Sequence, residues 1–205
     1  MKLYYALGAC SQAAHIVLHE AALDHTSEAV DLRTKTTASG ADYFAINPKG
    51  AVPALEVDDG EILTENGAVL QYLGDYARDD ALLPRAGIRR YRVVEWLAYL
   101  GSEVHKSFGP LFNPAASEEI KQGARDLIGK KFDYLEQQFE GNDYLTGATM
   151  TAADPYLFVM LGWTGKFGID LKRWPNLAAF RERMMARPAV RAVLRAEGLL
   201  EPATA

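Results

Sequence analysis

The chain has 205 residues, of which 49% are hydrophobic and 24% are charged, and its formal net charge is -5 at pH 7. This composition is typical of a globular protein and excludes collagen-like, disulfide-rich and disordered chains. The acidic balance argues against nucleic-acid binding, which requires a basic surface. No apolar run approaches the roughly 18 residues of a membrane span, and the first residues lack the apolar core of a secretory signal. We therefore expect a cytoplasmic protein that binds neither nucleic acid nor membrane.

Cysteine and histidine usage limits the metal and redox chemistry that the chain can support. Cys10 is the only cysteine, which excludes an intramolecular disulfide, a CxxC pair and a thiolate zinc site. His15 and His19 have the i,i+4 spacing of one helix face. No HExxH sequence or nearby acidic ligand accompanies them. We therefore interpret them as a solvated helix face and expect no metal.

The first 80 residues alternate between strand and helix signals, with short apolar runs between segments of helical periodicity. The expected strands are residues 2–5, 27–32, 54–57 and 61–63, and the expected helices are residues 11–23, 42–46 and 65–76. Asp59-Gly60 is a hairpin turn signal, and Thr64 is placed to cap the following helix. The order β-α-β-α-β-β-α predicts a mixed sheet.

Beyond a polar linker that contains Pro84 and Gly87, every segment has helical periodicity. The expected helices are residues 88–108, 118–139 and 151–163, with two more around Phe180 and Val193. The helix at 151–163 is apolar on nearly all sides, which indicates a buried central helix, and Thr151-x-x-Asp154 is a capping box at its start. The pattern predicts an α/β domain of residues 1–80 followed by an all-helical domain of residues 87–205.

Cys10 lies between a strand-ending turn and a helix start. Free N–H groups and the helix dipole stabilise anions at such a position, so we expect the thiolate to be favoured. Thioredoxin-like folds place thiol chemistry at this junction. The alternative is a small buried core thiol, since free cysteine is among the most buried residue types.

Two further pairs of residues could bind a small peptide. Val52-Pro53 opens a strand, either as an edge device or as a cis bond that turns the Val52 N–H and C=O toward an extended ligand. Glu65-Asn66 lies at a helix start, where N–H groups bind a carboxylate and Glu65 can accept from an ammonium group. The alternative is that Glu65 is only a favourable acid of the first helical turn.

His105 shares a stripe with Ala98 and Ser102 on the expected helix of residues 88–108. A single histidine is more often a hydrogen-bonded structural group than a catalyst, and sequence position alone leaves both interpretations open.

Short motifs occur in a fixed order along nearly the whole chain. They are MKLYY at 1–5, GACS at 8–11, NPKG at 47–50, VPAL at 52–55, LTE at 63–65, EVHK at 103–106, LTG at 145–147 and TAAD at 151–154. Each is weak alone, but the ordered set resembles the cytosolic glutathione transferases, in particular the bacterial beta class.

The resemblance implies a thioredoxin-like N-terminal domain, an all-helical C-terminal domain, a homodimer and glutathione as co-substrate without a metal. The residues that it places around glutathione are Cys10, Lys35, Val52, Pro53, Glu65 and Asn66 from the first domain, and Ser102, Glu103 and His105 from the second. Cys10 would face the glutathione sulfur, Lys35 the glycyl carboxylate, and Glu103 the ligand of the partner subunit.

The resemblance implies conjugation of reduced glutathione to hydrophobic electrophiles. Two alternatives stay open, namely glutathione-dependent disulfide exchange through a mixed disulfide of Cys10 and a non-catalytic binding protein of the same fold. A thiol is a weak hydrogen-bond donor. We therefore expect conjugation to depend more on His105 than on Cys10.

Overall fold

The structure, a computed structural model, describes residues 1–200. A mixed five-stranded sheet lies in this part of the chain, in the order β3-β2-β1-β4-β5. Its strands are β1 (Lys2–Tyr5), β2 (Thr26–Asp31), β3 (Thr36–Thr37), β4 (Ala54–Glu56) and β5 (Ile62–Thr64). Only β1 and β2 pair in parallel, and the other neighbours are antiparallel. The predicted mixed sheet is confirmed.

The helices within residues 1–200 are α1 (Gln12–Glu20), α2 (Tyr43–Ile46), α3 (Asn66–Ala77), α4 (Gly87–Tyr99), α5 (Gly109–Phe112), α6 (Glu118–Gln138), α7 (Asp154–Trp163), α8 (Pro175–Met185) and α9 (Pro188–Ala196). A π-helical segment (Leu100–His105) follows α4 directly, and short 3-10 turns occupy Gly165–Phe167 and Leu171–Arg173. The thioredoxin-like arrangement of residues 1–77 is therefore followed by helices alone, as predicted.

The sheet is held by an apolar face that packs against helices. Leu3 of β1 lies between Ser27 of β2 and Leu55 of β4 in register, and Leu3 and Leu55 are fully buried together with Leu70 of α3. Strand β3 was not predicted, because two threonines carry no alternation pattern. It forms because the chain turns back and pairs Thr37 with Val30.

The interpretation of α1 as a helix with a solvated histidine face is wrong. Gln12 and His15 are buried, and His19 is half-buried. The reason is tertiary, since α1 packs against α3 on one side and against α7 and α9 of the helical part on another. Periodicity predicted one apolar face, but the helix is covered by neighbours on more than one side.

The long helix expected at residues 88–108 is interrupted. The α-helical hydrogen bonding ends at Tyr99, and Leu100–His105 form a π-helix. A π-turn contains one additional residue, which rotates the following side chains by about 100° relative to a continuous α-helix. The apolar residues at helical spacing along this segment are nevertheless all buried, namely Val93, Leu97, Leu100, Val104 and Phe108.

The central helix α7 is buried along its length, as its apolar sequence predicted. Asp154 at its start is fully buried and accepts hydrogen bonds from the backbone N–H groups of Leu145 and Thr151 and from the Thr151 hydroxyl. The predicted capping box is therefore only partly confirmed. Asp154 reaches back as predicted, but the Thr151 hydroxyl donates to it instead of capping the helix.

The two parts of the chain are joined close to Cys10. The Glu197 carboxylate, buried beyond the end of α9, accepts from the Gly8 N–H at 3.0 Å and from Gln12 Nε2 at 2.9 Å. The indole N–H of Trp163 donates to the Gly8 carbonyl at 2.9 Å. The loop before α1 is thus held from both sides by residues more than 150 positions away. Among the helices of residues 1–200, none has the length and apolar character to cross a membrane.

Candidate functional site

Cys10 lies in the loop between β1 and α1, and its Sγ donates to the Val52 carbonyl oxygen at 3.1 Å. The Asn66 side-chain amide donates to the Cys10 carbonyl oxygen at 2.9 Å. Cys10, Val52 and Asn66, which we call the Cys10 cluster, therefore come together from three separate segments of the chain. The Val52-Pro53 peptide bond is cis, one of the two conformations considered for this dipeptide.

The expectation of a thiolate at Cys10 is wrong. Burial raises the pKa of the Cys10 thiol from 9.0 to about 12, with a smaller contribution in the same direction from the Glu65 carboxylate. The backbone N–H groups of Cys10 and Ser11 do lower this pKa, as the helix-start argument predicted. Their effect is smaller than the cost of burying the charge, so the thiol is protonated and donates to Val52.

Asn66 is the first residue of α3 and is buried. While its amide nitrogen bonds Cys10, its Oδ1 finds no hydrogen-bond donor within residues 1–200. A buried acceptor without a partner is costly in a folded protein. The Oδ1 atom therefore has the capacity to accept from a ligand that approaches the start of α3.

Glu65 precedes α3 with φ 74°, a left-handed conformation that is strained for a glutamate. The interpretation of Thr64 as a cap and of Glu65 as a first-turn acid is wrong. The helix begins at Asn66, and the side chains of Thr64 and Glu65 both accept from Lys49 Nζ, at 3.0 and 2.7 Å. Glu65 is exposed, so this ion pair is open to exchange with a charged ligand.

The loop that presents Val52 is fixed by side chains from α2 and its surroundings. The Tyr43 hydroxyl and the Asn47 amide both donate to the Ala51 carbonyl, at 2.9 and 2.7 Å. Lys35 Nζ donates to the Gly50 carbonyl at 2.6 Å. Lys35 thus contacts this loop two residues before Val52, and Lys35 itself is only partly buried.

His105 lies at the end of the π-helical segment, where its Nδ1 is 2.7 Å from the hydroxyl oxygen of Tyr156 in α7. Burial lowers the pKa of His105, and the neighbouring Lys106 lowers it further. Burial also raises the pKa of Tyr156, and proximity to Cys10 adds to that effect. Tyr156 therefore connects His105 with the surroundings of Cys10, and both side chains are neutral at neutral pH.

Sequence reasoning did not assign a role to Tyr156. A signal was available, because Tyr156 carries the only hydroxyl group in the apolar run of residues 155–163. A polar atom in a helix that is buried on all sides requires a partner. That partner is on another helix, and no sequence pattern identified it.

Aromatic rings surround His105 on the helical side. The ring of Trp163 lies 5.0 Å from that of His105 between centroids, and Phe112 lies 5.1 Å from Trp163. Phe112 is exposed although Leu111 beside it is buried. This wall offers an apolar surface next to the His105 imidazole.

Ser102 and Glu103 are not brought to the Cys10 cluster by any contact within residues 1–200. Ser102 is exposed. Glu103 is also exposed and forms an ion pair with Lys131 of α6. Of the residues predicted for the site, Cys10, Val52 and Asn66 are in direct contact, Lys35 and Glu65 lie beside them, and His105 approaches through Tyr156.

Family comparisons match both parts of the chain. The family described as "Glutathione S-transferase, N-terminal domain" matches residues 8–75, and the family described as "Glutathione S-transferase, C-terminal domain" matches residues 101–188. Among curated proteins, "Glutathione S-transferase GstA" of Escherichia coli O157:H7 is 46% identical over 97% of this chain and 100% of its own length.

Two solved structures are similar over the whole fold. The beta-class glutathione S-transferase of Sphingomonas chungbukensis has a TM-score of 0.94 and 45% identity, over 98% of this chain and 100% of the other. A sphingomonad glutathione S-transferase in complex with glutathione has a TM-score of 0.94 and 44% identity over the same shares.

Proposed function

The chain belongs to the glutathione S-transferase family, in its bacterial beta class, and on this premise we propose that it conjugates reduced glutathione to hydrophobic electrophiles between the Cys10 cluster and His105. The observation that carries the proposal is the convergence of Val52, Asn66 and the start of α3 around Cys10, with Tyr156 of the His105–Tyr156 pair near enough to Cys10 and Asn66 for both to shift its pKa. The sphingomonad relative, at 44% identity, was solved with glutathione bound.

The cysteinyl part of glutathione would pair with the backbone of Val52, as an extended peptide pairs with a strand edge. The Val52 carbonyl oxygen has two lone pairs, and the Cys10 thiol occupies one of them. A ligand N–H can take the second lone pair or replace the thiol. Either arrangement brings the glutathione sulfur beside Cys10.

The γ-glutamyl end of glutathione would bind at the start of α3. The first N–H groups of a helix lack intrahelical partners and bind carboxylates. The ligand ammonium group would donate to the Glu65 carboxylate in place of the Lys49 ammonium group. It would also donate to the Asn66 Oδ1, the buried acceptor that has no donor among residues 1–200. At the other end of the ligand, Lys35 would attract the glycyl carboxylate.

The opposite wall would bind the electrophile and assist the sulfur. A protonated Tyr156 hydroxyl that donates to His105 Nδ1 leaves the proton of the neutral imidazole on Nε2, which can donate to the glutathione thiolate. The thiol proton leaves to solvent, the sulfur lone pair forms the new C–S bond, and the electrophile releases its leaving group. Trp163 and Phe112 would contact its apolar part. Ser102 would line the same wall.

Conjugation is favoured over disulfide exchange by the state of Cys10. A mixed disulfide requires attack by the thiolate, while burial raises the pKa of this thiol to about 12. Conjugation needs only the thiolate of glutathione itself. The location that suits this reaction is the cytoplasm, where the glutathione pool is kept reduced.

We further propose that the chain acts as a homodimer, with Glu103 near the ligand of the other subunit. Apolar side chains are exposed on the adjoining helices α3 and α4, with Tyr76 at 45%, Ile88 at 68% and Tyr91 at 66%. Exposed apolar surface of this kind favours association. Sedimentation should give a dimer at micromolar concentration, and Tyr91→Glu should weaken it. A wild-type monomer would contradict the proposal.

Calorimetric titration with reduced glutathione tests the proposed site. Asn66→Ala should weaken binding by about 1–3 kcal/mol, the range for removal of a buried hydrogen-bonding group. Asn142→Ala is the matched control, because Asn142 is exposed and bonds only within its own helix end. Conjugation to chlorodinitrobenzene should decline in parallel in the first variant alone. Wild-type protein that fails to bind millimolar glutathione would refute the proposed function.

A further inference from the structure

Three of the four histidines form a cluster that shares no residue with the Cys10 cluster. Each of His15, His19 and His25 offers a ring nitrogen, and these three nitrogens lie within 4.8 Å of one another. The ring centroids are 5.3 Å apart for His15 and His19, 5.8 Å for His15 and His25, and 5.2 Å for His19 and His25. His15 is buried, and the other two are half-buried and within reach of solvent.

The fold assembles this cluster from one helix and the segment that returns from it. His15 and His19 are one helical turn apart on α1 and therefore face the same side. The chain reverses after α1 through Ala22, whose φ is 49°. This reversal brings His25, the residue before β2, back against the two helical rings.

The hydrogen bonds of two rings fix which nitrogen is free. His15 Nδ1 lies 3.1 Å from Glu197 Oε1, and His25 Nδ1 lies 2.8 Å from the Leu23 carbonyl oxygen. A carboxylate and a carbonyl can only accept, so each Nδ1 carries the proton and each Nε2 presents a lone pair. Metal-binding histidines are held in this way, with the second ring nitrogen donating to a carboxylate or carbonyl.

We propose that His15, His19 and His25 form a binding site for a divalent transition metal, zinc in particular. With Zn–N bonds of about 2.0–2.1 Å and tetrahedral angles, the centroids of three imidazole ligands would lie roughly 5.2 Å apart, close to the spacings of this cluster. Water would complete the tetrahedron. Three imidazoles suit zinc, copper or nickel, whereas magnesium and calcium require oxygen ligands. This proposal departs from the expectation of a protein without metal.

The same rings could instead be a packed aromatic group, since Tyr5 also lies against His15 with centroids 5.2 Å apart. The two interpretations differ in a measurable way. Packing alone would give no affinity for zinc, while a metal site loses affinity when either half-buried ring is replaced.

The metal would act as a structural brace. Glu197 contacts His15 through Oε1, and it contacts Gly8 and Gln12 through Oε2. An ion on the three histidines would therefore fix the end of α9, the start of α1 and the loop that carries Cys10 in one connected unit. A ligand that binds only the folded protein raises its unfolding temperature.

The test uses the full chain without an affinity tag, freed of metal by a chelator and titrated with zinc chloride in a calorimeter. We expect one zinc ion per chain and a raised unfolding temperature. His19→Gln and His25→Gln should each weaken binding by at least about tenfold, and both rings are half-buried, so these variants should still fold. Thermal unfolding of the metal-free variants shows whether they fold like the wild type.

His105→Gln is the matched control, because His105 is the remaining histidine, and Cys10→Ala removes the only thiol. Both should bind zinc as the wild type does. Cobalt bound in place of zinc should give the visible absorption of a four-coordinate ion, and His19→Gln should lose it. The proposal is overturned if wild-type protein binds no zinc at hundreds of micromolar, if both cluster variants bind normally, or if affinity depends on His105 or Cys10.

Discussion

The Tyr156 hydroxyl oxygen lies 2.7 Å from His105 Nδ1, so a side chain of the buried central helix holds an imidazole on the facing segment in place. The raised pKa of Tyr156 keeps its proton on the phenol. The lowered pKa of His105 keeps the ring neutral. Together these shifts keep both groups neutral, and when the Tyr156 hydroxyl donates to Nδ1 the imidazole proton lies on Nε2.

Replacing Tyr156 by Phe should test this relationship with little change in packing. We expect kcat for conjugation to fall roughly two- to tenfold, which corresponds to loss of about 0.5–1.5 kcal/mol for one hydrogen bond. KM for glutathione should be nearly unchanged, since the peptide contacts lie elsewhere. Tyr134→Phe, at an exposed position of α6, is the control. A variant in which only KM rises would show that Tyr156 supports binding instead.

The Cys10 thiol should be unreactive in the ligand-free protein. Because its pKa is raised from 9.0 to about 12, its thiolate fraction at neutral pH should be about a thousandfold below that of an ordinary cysteine. Alkylation followed by mass spectrometry should be slow in the native protein and fast in denaturant. Rapid alkylation of the native protein would show that Cys10 is a reactive thiolate, and it would support disulfide exchange as the reaction.

Asp154 should be a main determinant of stability. Asp154→Ala leaves three buried donors without an acceptor, and we expect a loss of about 2–5 kcal/mol in the free energy of unfolding. Asp126→Ala, on the exposed side of α6, should change it by much less. Denaturant titration measures both. Equal effects would contradict the assigned role.

The stability contributed by Asp154 should also depend on pH. Burial raises the pKa of its carboxyl group from 3.8 to about 6. Between these values the folded protein retains the proton and the unfolded chain does not. The contribution is therefore complete below about pH 4 and is lost as pH rises through about 6, by roughly 3 kcal/mol at most. Wild-type protein should lose stability relative to Asp154→Asn across this range, and parallel curves would contradict the raised pKa.

Glu197 should couple the two parts of the chain. Glu197→Ala removes a buried carboxylate that accepts from Gly8, Gln12 and His15. We expect the free energy of unfolding to fall by about 3 kcal/mol or more. Glu182→Ala, at an exposed position of α8, is the control. Amide exchange should increase in residues near Gly8 in the first variant, and an unchanged exchange pattern would refute the coupling.

Much of the fold followed from local sequence. Short apolar runs and turn residues predicted four of the five strands, because a strand that is buried on one or both faces has an alternating or apolar sequence. The uniform hydrophobicity of residues 155–163 predicted a buried helix, since no solvated face is possible there. The order of motifs was sufficient to indicate the family.

Tertiary structure decided the properties of individual side chains. The position of Cys10 at a helix start was readable from sequence, but its pKa depends on burial by segments distant in the chain. The partnership of His105 with Tyr156 spans 51 residues. The spacing of His15 and His19 predicted a solvated face, because helical spacing identifies neighbours on one helix only. Their burial, and the approach of His25, depend on packing between segments that are remote in sequence. The periodicity of a single element does not show which other segments pack against it.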